Sequence, residues 1–574
     1  MSDLSAKKGV QQLLNQLKKH DLTHVVISPG SRNAPLTLSF DATDDFQTYN
    51  IPDERSAAFY ALGMADKLQK PVAVLCTSGS ALLNYAPAVS EAFYRGVPLV
   101  VISADRPEEW TDQGDGQTIR QKNALENHVL GFAQLKENPT NKNELWFNSR
   151  EIDTLLNKAK VEGGPVHFNF PFDEPLYETV EESGKITNDA AVIEWIKGDL
   201  KLDDSTELKL QSIWNDSPKK MIICGQLPQN PRLLKVLSEL SKDSAVSILV
   251  ENTSNLMSNG FVHCIDRTLN SIPTAQEPNF APDLLITLGG AVVSKKIKAF
   301  LRRNTPKYHW KIGSAFPFMD TYQCLSHSIP MQPESFIQAL QHWNINLHTS
   351  RFGEQWKQLD YLVEDKHFNY LESAKYADLS VFHLLLDAIP ENSSLHLANS
   401  SVVRYAQLFN PIKSINYYCN RGTSGIDGST STAMGAALVD SNNLHTFISG
   451  DISFFYDSNA FWNHHVPANF RMFVINNGGG GIFKIIPGPS STKAYDQHFV
   501  AKQNFSAAHI CEAFDINYKK ADSLADIEAQ LDDFYSHQSN KRPVVMEIFT
   551  PHDLNDQVLK DYFSKIKVTP KLLS

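Results

Sequence analysis

Ile448-Ser449-Gly450-Asp451-Ile452-Ser453-Phe454-Phe455-Tyr456-Asp457-Ser458-Asn459, followed by Phe473-Val474-Ile475-Asn476-Asn477-Gly478-Gly479, decides how this chain folds. Each half begins as an apolar run closed by Gly or Asn. That pattern suits a buried strand of a parallel sheet. Each predicted strand opens into a loop of small polar residues, and ligands of open α/β sheets sit at such carboxyl ends. Asp451 offers a carboxylate, Asn477 (or Asn476) an amide oxygen, and Gly479 a backbone carbonyl. Hard oxygen donors of this kind suit a small divalent cation such as Mg²⁺. Either half alone also reads as an ordinary turn; the two together, each after a strand, do not.

Working outward, 574 residues exceed a single core and imply about three or four domains. Alternating strand and helix patterns appear three times. The first unit has predicted strands over 23–28, 72–76 and 99–103, with helical stretches over 56–67 and 81–95, and ends on 164–171. A polar stretch over about 180–210 reads as a linker. The second unit has predicted strands over 221–224, 246–250 and 284–288 and a helix over 231–240. A charged, helical connection over about 345–377 leads to the third unit, which carries the opening motif. The expected fold is α/β, with three doubly wound parallel-sheet domains spanning 1–185, 186–350 and 351–574.

Bulk properties exclude several classes of function. The net charge of −11 leaves no footprint for nucleic acid and no basic block for anionic lipid. No apolar run reaches membrane-spanning length. The first 20 residues carry a helical stripe (Val10, Leu13, Leu14, Leu17) and not a signal peptide. Six scattered cysteines without a CxxC pair fit reduced thiols in a cytoplasmic protein.

Further constellations fall at or just after predicted strand ends. Asp53-Glu54-Arg55-Ser56-Ala57 places a carboxylate at a helix start, where a first-turn acid complementing the helix dipole is the ordinary reading. Ser28-Pro29-Gly30-Ser31-Arg32 sets a turn before an arginine able to grip a carboxylate with two N–H groups. Ser103-Ala104-Asp105-Arg106-Pro107 leads into a Gly-rich loop containing Gln117. Ser294-Lys295-Lys296 opens a lysine run in the second unit. Ser400 and Arg404 fall four apart, as on one helix face. Asn420-Arg421-Gly422-Thr423-Ser424-Gly425-Ile426-Asp427-Gly428 combines a cation, an apolar prop and glycines that let backbone approach a ligand. Arg32, Arg106, Lys295, Arg404 and Arg421 together imply a multiply carboxylated substrate set.

The Gly-Asp and Asn-Asn pair at this spacing resembles the signature of thiamine diphosphate enzymes. Ser-Pro-Gly-Ser-Arg, Asp-Glu-Arg-Ser-Ala, Thr-Ser-Gly-Ser-Ala (77–81), Ser-Ala-Asp-Arg-Pro and Asn-Arg-Gly-x-Ser-Gly-Ile-Asp-Gly together resemble the 2-succinyl-5-enolpyruvyl-6-hydroxy-3-cyclohexene-1-carboxylate synthases of menaquinone biosynthesis. The resemblance covers nearly the whole chain and is weakest in the middle. It implies decarboxylation of 2-oxoglutarate and 1,4-addition of the resulting succinyl carbanion equivalent to isochorismate, with thiamine diphosphate and Mg²⁺ or Mn²⁺.

By resemblance, Asp451, Asn477 and Gly479 are the metal ligands, and Glu54 is the carboxyl against the aminopyrimidine ring of a cofactor held mainly by the partner subunit. Glu54, Arg32, Gln117, Arg404 and Arg421 are the catalytic set. Ser400, Gly425, Ile426, Gly450, Ile452, Ser453 and Ile482 join the metal ligands around the cofactor. Ser31, Arg32, Arg106, Gln117, Lys295, Ser400, Arg404 and Arg421 contact substrate, and Ile482 and Phe483 wall the reacting carbon. A homo-oligomer, at least a dimer, follows. Two features depart from the family: Asp115-Gly116 precedes Gln117, and Lys296 stands where some members carry arginine, whose bidentate fork lysine lacks. Another thiamine diphosphate carboligase or decarboxylase, acetohydroxyacid synthase-like, is the alternative. A non-catalytic binding protein of the same fold is the third reading. No convincing GxGxxG supports a dinucleotide site.

Overall fold

The computed structural model describes residues 4–181, 192–198, 200–343, 350–481, 483, 491–536 and 542–568. Three parallel sheets form the framework. The first holds β1 (His24–Ile27), β2 (Gln47–Asn50), β3 (Val72–Cys76), β4 (Leu99–Asp105), β5 (Phe132–Gln134) and β6 (Val166–Pro171) in the order β2-β1-β3-β4-β6-β5. The second holds β7 (Lys220–Cys224), β8 (Val246–Val250), β9 (Leu284–Leu288), β10 (Tyr308–Ile312) and β11 (His327–Ile329) in the order β8-β7-β9-β10-β11. The third holds β12 (Ser394–Leu397), β13 (Asn416–Tyr418), β14 (His445–Gly450), β15 (Phe470–Asn476), β16 (Asn517–Ala521) and β17 (Val544–Phe549) in the order β13-β12-β14-β15-β17-β16.

The first and third sheets therefore share one strand order, and the second shares its first four positions. This is the α/β architecture expected from the alternating pattern. β3 and β7 are buried at every position, because helices cover both faces of a parallel sheet. The direction of winding reverses between β1 and β3 and again between β12 and β14, which opens a crevice at their carboxyl ends. A short antiparallel pair, Leu4–Ser5 with Thr179–Val180, closes the first unit.

Seven helices position the residues of interest. They are α1 (Glu54–Leu68), α2 (Ala86–Arg95), α3 (Lys295–Arg303), α4 (Asp378–Asp387), α5 (Ser401–Ala406), α6 (Ser429–Leu438) and α7 (Asp451–Tyr456). Asp53 caps α1, its carboxylate accepting the Ser56 N–H at 2.9 Å, and Gln69 stops it in the left-handed region at φ 52°. α1 and α6 touch backbone to backbone. A Cβ on Gly63 would lie 1.9 Å from the Thr432 carbonyl oxygen, and one on Gly435 2.1 Å from that of Tyr60. Glycine at both positions is what lets the first and third units close together.

The structure departs from the sequence expectation in four places. The stretch predicted as one helix over 81–95 breaks into Ser80–Asn84 and α2, with Pro87 in the first turn of α2. The polar stretch read as linker runs into a helix, Asp204–Asn215, capped by Asp203; residues 182–191 and 199 lie outside the described residues. Asp451 begins a helix instead of a loop, because Ile452, Phe454 and Phe455 give that segment enough apolar side chain to pack. Ser400 does not share a helix face with Arg404. It precedes α5 at φ 71°, an uncommon conformation for a residue with a side chain.

Candidate active site

The corner read first in the sequence lies at the ends of β14 and β15. Asp451 is buried there. Its Oδ1 accepts the Ile452 N–H at 2.8 Å and its Oδ2 the Gln503 amide at 2.6 Å. Burial pushes its carboxyl up to about 6, against the pull of these donors and of the Gly479 N–H.

The two asparagines differ. Asn476 is saturated: its Nδ2 donates to Glu547 Oε1 at 2.7 Å and the Phe505 carbonyl at 2.9 Å, and its Oδ1 accepts from Gly478 N and Gln503. Asn477 donates from Nδ2 to Asp378 at 3.0 Å, while its buried Oδ1 has no partner among the described residues. Of the two, only Asn477 keeps an amide oxygen free for a ligand. Gly479 sits at φ 141°, where a Cβ would lie 2.7 Å from the Val500 carbonyl oxygen, so only glycine fits. Its carbonyl accepts from Gly481 N at 2.9 Å, which leaves one lone pair.

The glycine loop after β13 stands beside this corner. Ser453 Oγ donates to the Ile426 carbonyl at 2.7 Å, joining loop and α7. Asn399 Nδ2 bridges the carbonyls of Asn420 (2.6 Å) and Gly425 (2.7 Å), and its Oδ1 accepts Arg421 at 2.7 Å. From the first unit, the buried Glu91 on α2 accepts the N–H groups of Gly422 (2.8 Å) and Thr423 (2.6 Å).

Cations gather next to the loop. Arg404 on α5 donates to the Val293 carbonyl at 3.4 Å, and Lys298 on α3 to the adjacent Val292 carbonyl at 2.6 Å. Burial, with the repulsion of Arg421 next, lowers the Arg404 guanidinium from its ordinary value. Burial also lowers the Lys298 ammonium, with Arg421 and Arg404 adding their repulsion against the pull of Glu251. Nε of Arg404 and Nε of Arg421 are buried without a hydrogen-bond partner among the described residues. Glu251 accepts the backbone N–H groups of Val293 (2.7 Å) and Ser294 (2.8 Å) and is pushed up to about 7 by its burial. Lys295 itself is exposed at the start of α3, with no hydrogen bond or ion pair among the described residues. Lys296 turns away, its ammonium 3.5 Å from the centre of the Phe563 ring.

The first-unit residues keep to strand ends of the first sheet. Arg32 is buried, donates to the Phe172 carbonyl at 3.1 Å and lies 3.3 Å from the exposed carboxylate of Glu174. Arg106 donates to the Gly116 carbonyl at 3.2 Å and pairs with Asp115 at 3.3 Å. Gln117 is exposed at φ 55°, its backbone against Gly79; Ser31 is exposed in its turn. Glu54 is half-buried, and its carboxylate makes no hydrogen bond or ion pair among the described residues. Asp53 does the capping there and accepts Asn459 Nδ2 at 2.7 Å.

Within one chain, then, the structure brings Asp451, Asn477, Gly479 and Ile426 to one corner, and Arg404 and Arg421 to its side. Arg32 and Arg106 bond inside the first unit, and Gln117 stands exposed with its backbone against Gly79. Phe483 packs its ring 5.7 Å from Phe499, and Ile482 lies outside the described residues. Sequence reasoning missed Glu91, Glu251, Asp378 and Gln503, and took Lys298 only as part of the lysine run after Ser294. Those four act on residues far from them in the chain, and no local pattern marks them, whereas Lys298 reaches a carbonyl only six residues back. All six cysteines are free, and no helix among the described residues is long and apolar enough to cross a membrane.

Residues 7–126 match the model of the N-terminal TPP binding domain of thiamine pyrophosphate enzymes, and residues 399–548 that of the C-terminal TPP binding domain. A 2-succinyl-5-enolpyruvyl-6-hydroxy-3-cyclohexene-1-carboxylate synthase from Christiangramia forsetii is 45% identical over 95% of this chain and 96% of its own. One from Flavobacterium johnsoniae is 43% identical over 97% and 98%, and one from Desulfotalea psychrophila 38% over 95% and 99%. With both thiamine pyrophosphate binding domains matched and similarity over nearly its full length, the chain belongs to the 2-succinyl-5-enolpyruvyl-6-hydroxy-3-cyclohexene-1-carboxylate synthase family of thiamine diphosphate enzymes.

Proposed function

We propose that this chain decarboxylates 2-oxoglutarate and adds the succinyl carbanion equivalent to isochorismate by 1,4-addition. The observation that carries the proposal is the pair of neighbouring guanidinium groups, the half-buried Arg404 and the buried Arg421, each with a buried, unpartnered Nε beside the Asp451 corner. Two neighbouring cations with spare buried donors call for an anionic ligand. A monocarboxylate such as pyruvate needs fewer cations, which disfavours the acetohydroxyacid synthase-like alternative.

When bound, thiamine diphosphate supplies the carbon nucleophile and the electron sink for decarboxylation. Asp451, the orphaned Asn477 oxygen and the Gly479 carbonyl form an all-oxygen donor set that fits Mg²⁺ or Mn²⁺. Residues 351–574 hold the diphosphate side, 1–185 the pyrimidine side, and 186–350 lie between. Gly450, Ile452 and Ser453 shape the cofactor's bed, Gly425 lets backbone approach it, and Ile426 props it. Glu54, with no partner in its own chain among the described residues, holds a proton against the pyrimidine ring bound by a second subunit. That role requires a homo-oligomer. Arg404 and Arg421 take substrate carboxylates together with Ser400 and Lys295. Ser31, Arg32, Arg106 and Gln117 hold the second substrate. Ile482 and Phe483 exclude water from the reacting carbon.

The test mixes purified protein with thiamine diphosphate, Mg²⁺, 2-oxoglutarate and isochorismate and follows loss of isochorismate absorbance. Consumption should need every component and collapse in Glu54→Gln. Untouched isochorismate beside decarboxylated pyruvate would sink the assignment.

A further inference from the structure

Asparagine presents an oxygen and a nitrogen of nearly equal shape, so a metal site that uses its oxygen needs something to fix which end faces the metal. In this chain that something is a buried carboxylate from a helix start about a hundred residues away. Asp378 opens α4 and is buried. Its Oδ2 accepts Asn477 Nδ2 at 3.0 Å. Its Oδ1 accepts Thr550 Oγ1 at 2.6 Å and Asn555 Nδ2 at 2.9 Å, and its own N–H donates to Asn555 Oδ1 at 2.8 Å.

We propose that Asp378 is the positioning residue of the metal site, holding the Asn477 amide so that its oxygen faces the cation. This rests on the reading of Asn477 as a metal ligand given above. Both carboxylate oxygens of Asp378 act as acceptors, Oδ1 toward Thr550 and Asn555 and Oδ2 toward the NH₂ end of the Asn477 amide and not its oxygen. Flipping Asn477 would set two acceptors against each other in a buried place and turn two N–H donors toward the cation. Thr550 and Asn555 fix the carboxylate in turn, on the oxygen that Asn477 does not use. The orphaned Oδ1 of Asn477 is the visible result of this arrangement.

The test is Mn²⁺ binding to the full chain in the presence of thiamine diphosphate, read by loss of the free-ion electron paramagnetic resonance signal, so turnover is not the readout. Wild type should bind, and Asn477→Ala should lose most of its affinity; failure of either defeats the ligand reading itself. Asp378→Asn keeps the shape but lets the amide turn, and its affinity should fall about 10- to 100-fold. The double variant Asp378→Asn with Asn477→Asp restores the hydrogen bond with donor and acceptor exchanged, and should recover binding to within about tenfold of wild type. A folded Asp378→Asn protein that binds Mn²⁺ as wild type does, while Asn477→Ala does not, overturns the proposal. If Asp378→Asn fails to fold, the double variant decides alone, and its failure to bind overturns the proposal as well.

Discussion

Glu91 of the first unit and Thr423 of the third are joined twice through one carboxylate oxygen: Oε2 accepts the Thr423 N–H at 2.6 Å and its hydroxyl at 2.8 Å. Oε1 takes the Gly422 N–H at 2.8 Å. The loop that presents Arg421 to the cleft is therefore tethered by a side chain of another unit.

Glu91→Gln replaces an acceptor with a donor facing these N–H groups. Leaving buried donors unmatched costs about 1–3 kcal/mol. Urea denaturation should show a loss of that size, and KM for 2-oxoglutarate should rise because Arg421 loses its support. Unchanged denaturation midpoint and unchanged KM would refute the tether.

Two neighbouring lysines make opposite predictions. Lys298 stands with Arg404 on consecutive carbonyls, whereas Lys296 is spent on the Phe563 ring. Lys298→Met should raise KM for 2-oxoglutarate roughly tenfold, the effect of about 1.4 kcal/mol. Lys296→Met should leave KM alone and lower stability by about 0.5–2 kcal/mol, the worth of a cation–π contact. The reverse pattern in steady-state kinetics would remove Lys298 from the cleft.

Asp457 supplies a pH test away from the metal corner. It is buried, accepts Ser431 N (2.7 Å) and Ser431 Oγ (2.9 Å), and burial pushes its carboxyl up to about 7 from an ordinary 3.8. Between those values the folded chain holds a proton that the unfolded chain has lost. Stability from this group therefore falls as pH rises from about 4 to about 7. Asp457→Asn mimics the protonated form and should show a shallower fall across that window in thermal melts. Parallel curves for the two proteins would show that Asp457 titrates as an ordinary carboxyl.

Much of this was readable beforehand. Apolar runs ending in Gly-Asp or Asn-Asn announced parallel strands, and β14 and β15 lie where those runs stand. The motif residues could be named because they lie in the loops and helix starts that follow strand ends. What escaped was set by contacts across long sequence separations. Asp378 looks like an ordinary first-turn acid until Asn477 arrives beside it, and Glu251 like a strand-end carboxylate until the Val293–Ser294 backbone closes on it. The choice between Asn476 and Asn477 was likewise undecidable locally. It turns on Glu547 and Gln503 satisfying one amide and Asp378 only half of the other.

The glycine-to-glycine crossing of α1 and α6 bears on how the chain is made. The face of α1 around Gly63 is apolar, and its cover arrives with Gly435, about 370 residues later. At a synthesis rate of about 5–20 residues per second, that face waits roughly 20–75 s on the ribosome without its partner. All six strands of the first sheet lie within residues 24–171, so the first unit can pair its own strands long before Gly435 is made. Until that cover arrives, the exposed apolar face is surface on which aggregation competes with folding.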